Sequence, residues 1–289
     1  MLELALTPGS GGSVGEPVWL KLELHQHTGS FKPRGAFSAM LAADVPEAGV
    51  VAASGGNFAL AVAYAAGELG HPATIFVPEA SPPAKVERLR LTKAEVIVSG
   101  AFYDDSFAAS RAHAAEHGGL ELHAFDDPLV VAGQGTCGRE LDSQCPGLDT
   151  VLVSVGGGGL CAGVAAWYED RASVIAVEPE RAPTLARALE AGEPVEVEVG
   201  GVAADSLGAR RIGKQPWQSL SRWVERSLLI ADEAIREAQH RLWAAARIAA
   251  EPGGAAAFAA LSTGAYVPEP GERVGVLVCG ANFDPSSLA

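Results

Sequence analysis

The sequence predicts an α/β fold, with mostly parallel sheets covered by helices on both faces. Three observations lead there. Short β-branched runs alternate with helical patterns along most of the chain, which is the signature of parallel strands joined by helical crossovers. Glycine-rich turns fall between a strand and a helix at two places, Ser54 to Asn57 and Gly156 to Gly159. The 289 residues are 48% hydrophobic but only 6% aromatic, so small aliphatic side chains build the core. A chain of that length can bury one large domain or two mid-sized ones.

The elements follow in order. Gly9 to Gly15 reads as a loose loop. Val50–Ala53 is a buried strand, and Phe58–Leu69 is the helix after it. Ala73–Val77 and Ala94–Val98 are further strands, with helices at Pro83–Thr92 and Asp104–Glu116. Gly133–Gln144 is helical, Val151–Val155 a strand, Gly159–Tyr168 a helix and Val174–Glu178 a strand. Ala191 to Gly201, with alternating Val and Glu, is a connection or an edge hairpin. Leu228–Ile230 is a short strand. Asp232–Ala250 is the longest helix; Ile235, Leu242, Ala246 and Ala249 share a face, and Asp232 is placed to cap it. Val274–Cys279 is a late buried strand. There is no internal repeat and no low-complexity stretch.

Composition excludes several function classes. The net charge of −14 disfavours nucleic acid and anionic membrane as partners. The four cysteines, Cys137, Cys145, Cys161 and Cys279, lack metal-ligand spacing and read as reduced thiols of a cytoplasmic protein. Met1-Leu2-Glu3-Leu4 has no basic segment, so no signal peptide is expected, and no apolar run reaches membrane-spanning length.

Three segments carry chemistry. Lys32 lies in Gly29-Ser30-Phe31-Lys32-Pro33-Arg34-Gly35-Ala36, read as a short constrained turn. Partial burial would lower its pKa, and a free amine forms Schiff bases with carbonyls; a surface lysine beside a turn is the plain alternative. Ser54-Gly55-Gly56-Asn57 would present backbone amides and a helix start to an anion, or be an ordinary turn capped by Asn57. Gly156, Gly157, Gly158 and Gly159 would let successive amides wrap a phosphate with no side chain in the way, where a flexible linker is the alternative. Cys279, alone, is ordinary core packing.

Together these segments resemble the fold-type II pyridoxal-phosphate enzymes, whose fold is that of the tryptophan synthase β chain, and most closely their serine/threonine dehydratase (ammonia-lyase) branch. His123-Ala124-Phe125-Asp126-Asp127-Pro128, Ala132 to Thr136, Ala203 to Gly208, Glu251-Pro252-Gly253-Gly254-Ala255 and Cys279-Gly280-Ala281-Asn282 complete the order, from about Thr7-Pro8 to the C-terminus. The resemblance implies two open, twisted, mostly parallel sheets. Residues 1–37 and 128–289 would form a large cofactor-binding domain, with 38–127 a small domain inserted in it. Lys32 would carry pyridoxal 5'-phosphate and remove the substrate Cα proton. Phe31 would pack on a face of the ring, and Asn57 would bond its hydroxyl. Ser54, Gly55, Gly56 and Asn57 would hold the substrate carboxylate. Gly156 to Gly159 and the Leu160 amide would bind the phosphate, and Cys279 would face the ring nitrogen.

The implied reaction is β-elimination on L-serine, L-threonine or a related β-hydroxy amino acid, giving a 2-oxo acid and ammonia. A neutral thiol at Cys279 cannot stabilise a protonated ring nitrogen, which disfavours transamination. Gly55 replaces the serine that serves serine racemases as a second proton donor, and a glycine there is expected to leave extra room beside the substrate. Racemisation and β-replacement are the competing reactions of this scaffold; a non-catalytic phosphate-binding protein is the third reading. Phe58 stands where many threonine dehydratases have histidine, and Ala281 replaces a glycine. Glu178 matches one acid of a divalent-metal site known in relatives, but Thr184 replaces another, so no metal is expected and Glu178 reads as a strand-end carboxylate. His25 and His27 read as loop histidines, and His123 is given no catalytic role. A homodimer is a possible assembly, and no isoleucine-regulated domain is expected.

Overall fold

The structure is a computed structural model that describes residues 1–5, 17–81, 83–284 and 286. The expected loop at Gly9 to Gly15 and the start of the resemblance at Thr7-Pro8 lie outside these residues. In chain order the strands are β1 (Leu2–Ala5), β2 (Pro17–Leu22), β3 (Val50–Ala53), β4 (Ala73–Val77), β5 (Glu95–Val98), β6 (Leu120–Leu122), β7 (Thr150–Ser154), β8 (Ser173–Pro179), β9 (Ser227–Ile230) and β10 (Val274–Val278). The helices are α1 (Lys32–Ala42), α2 (Asn57–Leu69), α3 (Pro83–Arg90), α4 (Tyr103–His117), α5 (Pro128–Gln144), α6 (Gly159–Tyr168), α7 (Thr184–Ala191), α8 (Ala204–Leu207), α9 (Lys214–Trp223), α10 (Asp232–Ala246) and α11 (Pro252–Ser262).

Two sheets form. One has the order β1-β2-β10-β7-β8-β9, and the other β5-β4-β3-β6. Every pairing is parallel except that of β1 with β2. In the larger sheet, side chains alternate between two cores as the pleat requires. Leu152, Ile175, Val177, Val274, Val276 and Val278 face α10 and α11, and Val151, Val153, Val174, Ala176 and Leu277 face α5, α6 and α9. The smaller sheet buries Val50, Ala52, Ile75 and Val77 against the alanine-rich α2. Alanine lets helix and sheet approach closely, which explains the low aromatic content.

Three expectations change, and one alternative is decided. Lys32 is not on a turn: it opens α1, with Pro33 in the first turn, where its missing N–H costs nothing. Gly35 lies inside that helix, where a Cβ would come within 2.3 Å of Gln134 Nε2 and 2.8 Å of Val130 on α5. The expected helix Asp232–Ala250 ends at Ala246, since Arg247 turns left-handed at φ 57°, and Pro252 then starts α11. Asp232 is the first helical residue rather than the cap; Ala231 precedes it. Of the two readings offered for Ala191 to Gly201, the connection holds: Ala191 ends α7 and residues 192–201 contain no strand.

The start of α1 is anchored by charge. Arg34 donates to both carboxylate oxygens of Glu23 at 2.6 and 2.8 Å and to Glu140 on α5 at 2.8 Å. Glu140 also pairs with the buried Lys21 on β2. A bidentate guanidinium fixes direction as well as distance, so Lys32, two residues earlier, points into the space between the sheets.

Candidate active site

Strands β3 and β7 both end at one cleft, where the carboxyl ends of parallel strands place ligands in α/β proteins. The cleft, about 760 Å³ in volume, is lined by Phe31, Lys32, Ser54, Gly55, Gly56, Asn57, Gly156, Gly157, Gly158, Gly159, Leu160 and Cys279. The structure thus brings together every residue the sequence nominated.

The Lys32 amine donates to the Ala124 carbonyl at 2.8 Å and lies 5.0 Å from the Phe31 ring centre and 5.6 Å from that of Phe58. Burial pulls its pKa down to about 8, against the opposing pull of Cys279 and Glu251. Burial pushes the Cys279 thiol up to about 12, reinforced by Glu251. The thiol is therefore neutral, and it donates to the Gly253 carbonyl at 3.5 Å.

The glycines after β7 are required by space. A Cβ on Gly157 would sit 2.4 Å from the Phe125 ring, and one on Gly156 3.0 Å from the Leu207 Cα. Gly158 has φ +94° and precedes α6, so the first amides of that helix open into the cup. At the other end of the cleft, Ser54 Oγ accepts the Gly56 amide at 3.2 Å, ahead of α2. A Cβ on Gly55 would meet Ser81 Oγ at 2.2 Å. The room expected beside Gly55 is therefore not there: Ser81 fills it.

Residues that sequence reasoning passed over hold this arrangement. Asn57 donates through Nδ2 to Glu251 Oε1 at 2.6 Å and accepts through Oδ1 from Asn282 Nδ2 at 2.6 Å. Glu251 Oε2 accepts the Asn282 amide at 3.1 Å. Burial raises the Glu251 pKa, and the Asn57 bond opposes this. His123 Nδ1 accepts the Asp126 amide at 2.8 Å, which shapes the loop that offers Ala124 to Lys32. Burial lowers the His123 pKa, keeping that acceptor available. Glu251 and Asn282 stood in the motifs that carry the resemblance, but their partners lie far away in sequence. His27 is engaged elsewhere, its Nδ1 3.0 Å from Tyr64 Oη.

Glu178 is a capping carboxylate. It accepts the Leu185 and Ala186 amides at 2.6 and 2.8 Å and the Ser227 hydroxyl at 2.7 Å, and burial raises its pKa to about 7. Among the described residues, no three His, Cys, Asp or Glu side chains are grouped to hold a metal ion.

One amine of lowered pKa, an anion cup made of neutral amides and an uncharged thiol suit a carbonyl cofactor bearing a phosphate. Residues 4–280 match the family described as pyridoxal-phosphate dependent enzyme, and the chain belongs to that family. The L-threonine ammonia-lyase of Geobacter sulfurreducens is 36% identical over 281 residues, covering 96% of this chain and 70% of its own. The phenylserine dehydratase of Ralstonia pickettii is 39% identical over 282 residues, covering 95% and 86%. The processed form of threonine deaminase isoform 2 from Solanum lycopersicum superposes with a TM-score of 0.88 at 30% identity, covering 96% of this chain and 82% of that one. Within the family, the chain is a lyase of the dehydratase and ammonia-lyase branch.

Proposed function

We propose that this chain removes water from L-serine, L-threonine or a related β-hydroxy amino acid, giving a 2-oxo acid and ammonia. The observation that carries this reading is the Lys32 amine, poised in one cleft between the Gly156–Gly159 cup and the Ser54–Asn57 turn. When bound, pyridoxal phosphate supplies the electron-withdrawing system that acidifies the substrate Cα–H.

The chain's residues do the rest. The amides of Gly156 to Gly159 and Leu160 would hold the phosphate at the α6 N-terminus. Ser54 and the turn amides hold the substrate carboxylate at the α2 N-terminus. Asn57, oriented by Glu251 and Asn282, would hold the ring hydroxyl, and Phe31 would pack against the ring. Lys32 takes the Cα proton as a free base. A proton from Cα and a hydroxyl from Cβ leave as water, and the released enamine adds water to become the 2-oxo acid and ammonia. Gly55 carries no hydroxyl for a second proton transfer, and the neutral Cys279 lends no charge to the ring nitrogen. Both favour elimination over racemisation and transamination.

Residues 38–127 are taken as the small domain, a reading supported by a four-stranded sheet drawn wholly from residues 50–122. A cytoplasmic homodimer is the proposed setting; the four buried free cysteines fit a reducing compartment, and among the described residues no helix is long and apolar enough to cross a membrane. Incubation with a panel of β-hydroxy amino acids should release 2-oxo acid and ammonia in equal amounts. A main product that is a D-amino acid or a β-substituted amino acid overturns the reading.

A further inference from the structure

The outer part of the cleft is lined by aromatic rings. Starting beside the glycine cup, Phe125, His123, Phe107 and Tyr103 touch in turn. His123 meets Phe125 at 4.6 Å and Phe107 at 5.2 Å, both edge-on, and Tyr103 stacks on Phe107 at 5.9 Å. Phe102 lines the same cleft as Lys32 and Ser54, and it is 70% exposed.

Packing accounts for the inner rings but not for Phe102. It holds the capping position of α4, with extended backbone at φ −127° and ψ 173°. Ser, Thr, Asp or Asn belongs there, because a side-chain oxygen satisfies an amide of the first turn. Half of a reciprocal cap is already in place, since Asp105 accepts the Phe102 amide at 3.1 Å. Phenylalanine cannot supply the other half. The helix forgoes a cap, and a large apolar ring stands in water at the cleft.

We propose that Phe102, with Tyr103 beside it, is a specificity-determining residue that covers an aryl group on the substrate Cβ, so that the preferred substrates are aryl β-hydroxy amino acids such as 3-phenylserine rather than L-threonine. This rests on the dehydratase reading above. Ser81 closes the space beside Gly55, so room for a large side chain lies toward the aromatic rings. A ring entering there meets other rings edge-on or offset, the geometries aromatic pairs prefer.

The test uses the holoenzyme and Phe102→Ser. Calorimetric titration with L-phenylalanine and L-alanine, which lack a β-leaving group, reads binding without turnover. Rates on 3-phenylserine and L-threonine read specificity. The wild type should bind L-phenylalanine more tightly than L-alanine and have the higher kcat/KM on 3-phenylserine. Phe102→Ser should shrink both aryl preferences by about three- to tenfold, the worth of one aromatic contact. Because serine restores the missing cap, the variant should melt no lower than the wild type. Equal losses on aryl and small ligands, a lower melting temperature with unchanged preferences, or a wild-type preference for the small ligands overturns the proposal. If no β-hydroxy amino acid is turned over, the dehydratase reading falls, and the L-phenylalanine to L-alanine binding ratio still decides the aryl subsite.

Discussion

Lys32 should titrate unlike any ordinary lysine. The chain has five lysines. Lys21 and Lys85 are ion-paired with Glu140 and Asp205, and Lys93 and Lys214 are exposed. Lys32 instead faces a carbonyl and two aromatic rings, and burial lowers its pKa from 10.5 to about 8. At pH 7 an amine of pKa 8 is roughly a tenth neutral, whereas one at 10.5 is roughly 0.03% neutral, so the reactive fraction rises about 300-fold. The sign follows from the charge. Below pH 8 the ammonium is unreactive, and reactivity climbs as pH rises through about 8. Competitive acylation of the cofactor-free protein between pH 6 and 10, read by peptide mass spectrometry, should give that midpoint for the Lys32 peptide. Glu251→Gln should lower the midpoint, because the Glu251 charge favours the ammonium. A midpoint near 10.5, or borohydride-fixed pyridoxyl on Lys21 or Lys85 instead of Lys32, would refute the reasoning.

Three further outcomes are expected. Gly158→Asp should lose bound cofactor on dialysis: it places a side chain at φ +94° and 2.8 Å from Leu220, and adds a like charge beside a phosphate; full retention of the chromophore would count against the cup. Gly55→Ser should raise the ratio of racemisation to elimination, most clearly with Ser81→Gly beside it, since the new Cβ and the Ser81 hydroxyl compete for one space; chiral chromatography showing no added D-amino acid in either form would sink the idea. Glu178 keeps a proton up to about pH 7 in the folded state, but loses it near 4.5 when unfolded. Its contribution to stability therefore falls as pH rises across that window, and Glu178→Gln should flatten the slope of Tm against pH there; an unchanged slope would contradict it.

Much of the fold was legible because β-branched runs mark buried parallel strands. β3, β4 and β8 lie within about a residue of where the sequence placed them. β2 was not found: its partners among the described residues are β1 and β10, the latter some 250 residues away, and its Lys21 is buried through ion pairs rather than apolarity. α1 was read as a turn because Pro33 and Gly35 look like breakers, yet one sits in the first helical turn and the other at a contact with α5. Site glycines were legible for the opposite reason. A glycine reports its own steric constraint locally, and Gly156 to Gly159 carry that constraint in four consecutive letters. The polar supports were not legible. Nothing near Asn57 indicates that Glu251, 194 residues later, takes its amide.

Those supports sharpen the chemical argument. Asn57 starts α2 on the smaller sheet, while Glu251 and Asn282 flank α11 and β10 on the larger one. Their hydrogen bonds cross the cleft and tie the Ser54–Asn57 turn to the start of α11 and the end of β10. The proposed phosphate cup offers neutral amides, Cys279 is an uncharged thiol, and burial favours the neutral Lys32 amine. With Cys279 facing the ring nitrogen, as proposed, the site would supply that nitrogen no acid and would be a poor store for electrons. It serves best when those electrons leave at once with a β-substituent. On this argument a leaving group on Cβ is what the proposed site requires, and the rings from Phe125 out to Phe102 are proposed to decide what else Cβ carries.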